Sequence, residues 1–118
     1  MKRDWDVIRE VLLEVQDMSP SERADACYAL PYRGDDVKAI HAFMLFDAGF
    51  LKGISGDDME GRELLEPDLT WEGRDLLANI ESKPIWARVK ARAAEEGLVM
   101  TFDAVKLLAK QALAQVLS

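Results

Sequence analysis

The chain has 118 residues, 49% of them hydrophobic, and 22 Asp and Glu against 15 Lys and Arg give it a net charge of -7. That is long enough to bury a core without metal or disulfide support, and the single cysteine, Cys27, excludes an internal disulfide. No apolar run approaches the roughly 18 residues of a membrane span, and Asp4 and Asp6 fall where a signal peptide carries its apolar region. One cytoplasmic domain without membrane contact is therefore expected.

Trp5, Ile8, Leu12 and Val15 recur three and four apart, with Val7, Val11 and Met18 widening the stripe. This spacing predicts a helix over 4–17, started by Asp4 or Asp6 near its positive end. Ser19-Pro20-Ser21-Glu22 offers a hydroxyl cap, proline at the first helical position and an acid at the third, so a short second helix is expected near 20–27. Tyr28, Leu30 and Tyr32 alternate as in a strand while Pro31 excludes a central position, which predicts a short edge strand within 26–32. A third helix should follow Gly34-Asp35-Asp36 and run to Ala48, turning Val37, Ile40, Met44 and Phe43 or Leu45 inward. Gly49 suits the left-handed position after its last turn.

Phe50-Leu51 should pair with a strand over 63–69, across a mobile acidic loop near 53–61. Thr70 then caps a helix over 71–80, Pro84 opens another that ends at Glu96, and Gly97 breaks it before a last helix beginning at Thr101-Phe102-Asp103. Helix, strand, glycine-rich turn, strand, helix is the wing of a winged-helix domain. The expected fold is mainly α with a small antiparallel β-hairpin (α+β), a winged-helix-like core over 1–82 and a C-terminal helical extension over 83–118.

Met1-Lys2-Arg3-Asp4, Ile40-His41 with Leu45 and Ala48-Gly49-Phe50, Leu69-Thr70-Trp71-Glu72-Gly73, and Ile85-Trp86 with Val89-Lys90 give the chain a resemblance. It resembles an uncharacterised family of small proteins from bacteria, their phages and prophages, known as a domain of unknown function. The Leu-Thr-Trp-x-Gly block with the downstream Ile-Trp is its specific part. Such relatives tend to have histidine after that glycine, where this chain has Arg74. The resemblance implies a winged-helix-like fold and supplies no catalytic residues.

Chemistry finds little purchase in these residues. His41 is the only histidine and stands at no recognisable spacing from Cys27 or a carboxylate, so no catalytic residues are assigned and a non-enzymatic protein is expected. The ordinary role for His41 is a partly buried imidazole bonding a backbone or carboxylate group, and for Cys27 a small buried hydrophobe. One Cys and one His cannot form a structural zinc site. Asp57-Asp58-Met59-Glu60-Gly61 lacks the alternating oxygens of a calcium loop, and Gly53, Gly56 and Gly61 form no phosphate cradle. No metal and no cofactor are expected.

Residues 1–82 hold 9 Lys and Arg against 19 Asp and Glu, whereas 83–118 hold 6 against 3. The wing lies in the acidic part, where carboxylates would repel the phosphates that a DNA reader needs to contact. A protein-interaction module is thus expected, with a DNA-binding regulator as the alternative, its recognition helix running from Asp36 to Ala48 and presenting Lys38 and His41. Trp5, Trp71 and Trp86 should each span core and surface, with Trp71 also a candidate binding platform. The candidate interaction residues are Lys38, His41, Trp71, Arg74, Arg88 and Arg92. The broad apolar arc of the last helix, Val105, Leu108, Ala112 and Val116 flanked by Leu107, Leu113, Ala114 and Leu117, points either to a homodimer through residues 104–117 or to packing back over Trp5 and Leu12.

Overall fold

The computed structural model describes residues 2–117; Met1 of the opening Met-Lys-Arg-Asp block lies outside them. In chain order the elements are α1 (Trp5–Asp17), α2 (Pro20–Asp25), β1 (Cys27–Pro31), α3 (Val37–Asp47), β2 (Leu51–Asp58), β3 (Gly61–Leu69), α4 (Trp71–Ile80), α5 (Lys83–Glu96) and α6 (Phe102–Leu117). The fold is α+β, six helices among the described residues and one three-stranded antiparallel sheet of order β1-β3-β2. The chain forms two compact units, Met1–Arg74 and Asp75–Ser118, which divide within α4.

Local chemistry accounts for the helix ends. Asp4 caps α1 by accepting from the Asp6 and Val7 N–H groups, and Ser19 and Glu22 form the expected capping box of α2. The end of α3 is a Schellman motif, in which the Phe50 N–H donates to Leu45 O and the Gly49 N–H to Phe46 O. Gly49 takes φ 87° there, as its position requires.

In the first unit α1 packs on α3 and β3, α2 packs on β3, and α3 packs on β1 and β2. Ile8, Val11, Leu12 and Val15 of α1, Ala42 and Leu45 of α3, and Leu51, Leu64 and Leu69 of the sheet are among its buried apolar residues. In the second, α5 packs on α6, burying Ile85, Trp86, Val89 and Ala93 with Val105, Leu108, Ala109 and Ala112.

The expected antiparallel hairpin is present, but the long mobile loop is not. β2 continues through Asp58 and β3 starts at Gly61, so only Met59 and Glu60 form the turn. An irregularity between Lys52 and Ile54 restores the pairing after Gly53, and Asp58 Oδ1 accepts from the Glu60 and Gly61 N–H groups to close the hairpin. The acidic tract is therefore strand, with its side chains in solvent. β1 is the edge strand expected, and it pairs Tyr28 with Leu64 and Cys27 with Leu65. Because Tyr28 faces the core, period-two alternation turns Cys27 outward, which corrects the expectation of a buried thiol. Val37 and Val116 are likewise 41% and 51% exposed rather than inward: each lies in the terminal turn of its helix, where there is less neighbouring structure to cover it.

A polar cluster ties α1 to α3 and β1. Glu14 accepts from the Tyr28 hydroxyl at 2.7 Å and from Lys38 Nζ at 2.8 Å, and Lys38 also reaches Glu10 at 3.2 Å. Burial pulls the Glu14 carboxyl upward, but the Lys38 and Tyr28 bonds outweigh it and hold it below its ordinary range. Arg62 similarly lowers Asp47 through a two-oxygen pair at 2.9 and 3.0 Å. Carboxyls depressed by folding contribute stability that is fully present above their unfolded value of about 4, and is lost as pH falls through the folded one. Urea unfolding midpoints should therefore hold steady between neutrality and about pH 5 and decline below about pH 4. The decline should be shallower in a Glu14→Gln/Asp47→Asn variant, by less than about 1 kcal/mol per site because both carboxylates are partly exposed. An unaltered acid limb in that variant would contradict this assignment.

Candidate functional site

The block Leu69-Thr70-Trp71-Glu72-Gly73 leads from β3 into α4, and most of its members are committed to the fold. Leu69 is buried. Thr70 works in two directions, its Oγ1 donating to Gly49 O at 2.6 Å and accepting from the Gly73 N–H at 3.0 Å, so it fastens the end of α3 to the start of α4. Phe50 O is fixed by the Thr70 N–H at 3.1 Å, and it lies so close to Gly73 that a Cβ there would overlap it. Gly73, Leu76, Leu77 and Ile80 form the buried side of α4.

Trp71 has no such role. It stands on the opposite side of α4 from that face and is 77% exposed, whereas Trp5 and Trp86 are buried, with 7% and 4% exposure, so the expectation that each tryptophan spans core and surface is corrected in both directions. The helical phase decides this: residue 71 lies nearly half a turn around from 73, 76 and 80. Arg74, one turn on, lays its guanidinium 5.4 Å from the Trp71 ring centroid. It is anchored by donating to Leu69 O at 2.8 Å and pairing with Asp68 at 3.7 Å, and Asp68 also pairs with Arg23 at 3.6 Å. One face of the indole is thus backed by a guanidinium that is itself tethered to β3. This presents a large aromatic surface in solvent with part of its ordering cost already met.

The other candidates fall elsewhere. His41 is fully buried: its Nε2 accepts the Asp4 N–H at 2.8 Å and its Nδ1 bonds Val37 O at 2.7 Å. Bonding to backbone was expected for it, but contact with a partner is excluded by burial. Lys38 is spent on Glu10 and Glu14. Between Lys38 and Phe46 every residue of α3 is buried or half-buried. Arg88 and Arg92 do come together, on α5 beside α6, and Arg92 is bonded to Glu96 at 2.7 Å. The structure thus joins Trp71 with Arg74 and Arg88 with Arg92, and withdraws Lys38 and His41. Met59, at the tip of the hairpin and 96% exposed, went unmarked in the sequence. Its signal would have been recognition of Asp58-Met59-Glu60-Gly61 as a tight turn.

Comparison with known proteins assigns these features to a family. A family model described as "Hypothetical protein (DUF2513)" matches residues 2–99, which include the whole β2–β3 hairpin, the Trp71–Arg74 pair and α5. The chain belongs to the DUF2513 family. A protein of Haemophilus influenzae described as uncharacterized is 30% identical over 120 residues, covering 100% of both chains. No solved structure matches the chain. In this DUF2513 protein the family match ends before α6, and among the described residues no helix is long and apolar enough to cross a membrane.

Proposed function

We propose that this DUF2513 protein is a non-enzymatic, cytoplasmic protein-interaction module, an accessory protein of phage, prophage or bacterial type, whose winged-helix-like scaffold presents Trp71 and Arg74 to a protein partner. The observation that carries this reading is the exposed, Arg-backed indole at the start of α4. Tryptophan and arginine are enriched in interface hot spots, tryptophan because its rigid ring buries a large contact area at low entropy cost and arginine because its planar guanidinium offers several donors. The neighbouring residues of the block serve the fold, and Trp71 is left over from it. A second reading, self-association through residues 104–117, is favoured by the uncovered last turns of α6, where Leu113, Val116 and Leu117 are 49%, 51% and 77% exposed. The alternative of a DNA-binding regulator has less support, since α3 is buried or half-buried from Lys38 to Phe46 and the hairpin is acidic.

Replacement of Trp71 tests the main reading. Trp71→Ala should change the unfolding free energy by no more than about 0.5 kcal/mol, as at an ordinary surface position. In affinity capture from the native host, wild-type protein should retain a stoichiometric partner after nuclease treatment, and the variant should lose it. A partner retained by Trp71→Ala, or one lost from wild type on nuclease treatment, would defeat the proposal.

A further inference from the structure

Two exposed surfaces of this chain differ in the sign of the charge that lines them. The first is the hairpin tip, where Met59 projects from a two-residue turn held by Asp58. Beside it, Asp58, Glu60 and Glu63 edge a hollow of about 160 Å³ in which Arg62 is the basic residue. Arg62 is already committed to Asp47 and Asp57, whereas among the described residues Glu60 and Glu63 have no ion pair. The tip is therefore an apolar knob with uncompensated negative charge around it.

The second surface is a groove of about 250 Å³ between α5 and α6. Ala91, Leu108 and Ala112 supply its apolar residues, and Arg88, Arg92, Gln111 and Gln115 its polar ones. Glu95 adds one negative charge to the lining, and Arg92 is partly neutralised by Glu96. Among the described residues Arg88 has no ion pair. A short apolar bed with donors around it suits an unbranched, adaptable side chain flanked by carboxylates.

We infer that the hairpin tip of one copy docks into the α5–α6 groove of a second copy, with Met59 on the Leu108–Ala112 bed and Glu60 and Glu63 facing Arg88 and Arg92. A second copy is the occupant because the chain itself carries both halves, an acidic tip around an apolar side chain and an apolar groove whose lining holds two arginines against one glutamate. The contact is distinct from self-association through the end of α6 and is independent of Trp71. It joins unlike surfaces, so it closes into a dimer if formed reciprocally and otherwise propagates from copy to copy.

Sedimentation equilibrium of the full chain, with increasing protein concentration at about 0.05 M and about 0.5 M salt, tests the inference, since the higher salt screens exposed charge over a few ångströms. The average mass should rise above one chain at low salt and return toward it at high salt. Glu60→Lys/Glu63→Lys and Arg88→Glu/Arg92→Glu should each remain one chain with unaltered circular dichroism, and an equimolar mixture of the two should associate again. Met59→Ala should weaken association about tenfold, the loss expected from one buried methionine, and Trp71→Ala should leave it unchanged. A wild-type protein monomeric under every condition would overturn the inference, as would a mixture that fails to associate. Association that survives both charge variants and is lost in Leu113→Ser/Leu117→Ser would place the contact at the end of α6 and overturn it as well.

Discussion

Gly73→Ala should destabilise the protein by about 3 kcal/mol or more, although the same exchange in an unconstrained helix interior is worth about 1 kcal/mol in favour of alanine. The reversal comes from one atom. A Cβ at Gly73 would overlap Phe50 O, and that carbonyl cannot retreat freely because it accepts the Thr70 N–H while the neighbouring Gly49 carbonyl accepts the Thr70 hydroxyl. Accommodating the methyl group means moving α4 away from the α3–β2 junction or breaking the bond that ties Phe50 to Thr70. Gly49→Ala is the matched comparison, because its φ of 87° disfavours a side chain while nothing lies within 4 Å of the added Cβ. It should cost only about 1 kcal/mol, the penalty of the left-handed conformation alone. Urea unfolding of the two variants decides the matter, and a Gly73→Ala protein as stable as wild type would show that the close approach does not constrain α4.

His41→Ala is the second large expected loss. The imidazole is fully buried and spans the first unit by accepting the Asp4 N–H, at the cap of α1, while bonding Val37 O within α3. Truncation leaves the partly buried Asp4 N–H without its acceptor, at about 1–3 kcal/mol. It also opens a cavity among the packed residues of α1 and α3, at about 2 kcal/mol or more. The unfolding free energy should fall by about 3–5 kcal/mol, a large share of the 5–15 kcal/mol typical of a domain. His41→Gln, which keeps a side-chain acceptor, should recover part of it. A loss below about 1 kcal/mol for His41→Ala would mean that the bond to Asp4 contributes little to docking the start of α1.

Much of the fold was legible because its signals are local. Helix starts and stops were written in Asp4, in the Ser19-Pro20-Ser21-Glu22 box, in Gly49, Thr70 and Gly97, and each of them ends or caps an element as short-range hydrogen bonding dictates. α4 runs over the residues expected, Trp71–Ile80. The hairpin was harder, since glycines and carboxylates signal a loop by propensity, and only pairing with β3 makes Gly53 to Asp58 a strand. Cys27 and Trp71 show the same limit, because the outward or inward sense of a residue depends on which face its element turns to the core.

For the candidate site, residue type by itself determined that His41 would bond a backbone or carboxylate group and that negative charge would gather on the hairpin. Only tertiary structure decided which candidates are available. It paired Lys38 with Glu10 and Glu14, enclosed His41 between α1 and α3, and left Trp71 in solvent against Arg74. The physical reason is that a charge or an aromatic ring is named by the sequence, whereas its neighbours and its access to water are set by contacts between residues as far apart as Asp4 and His41.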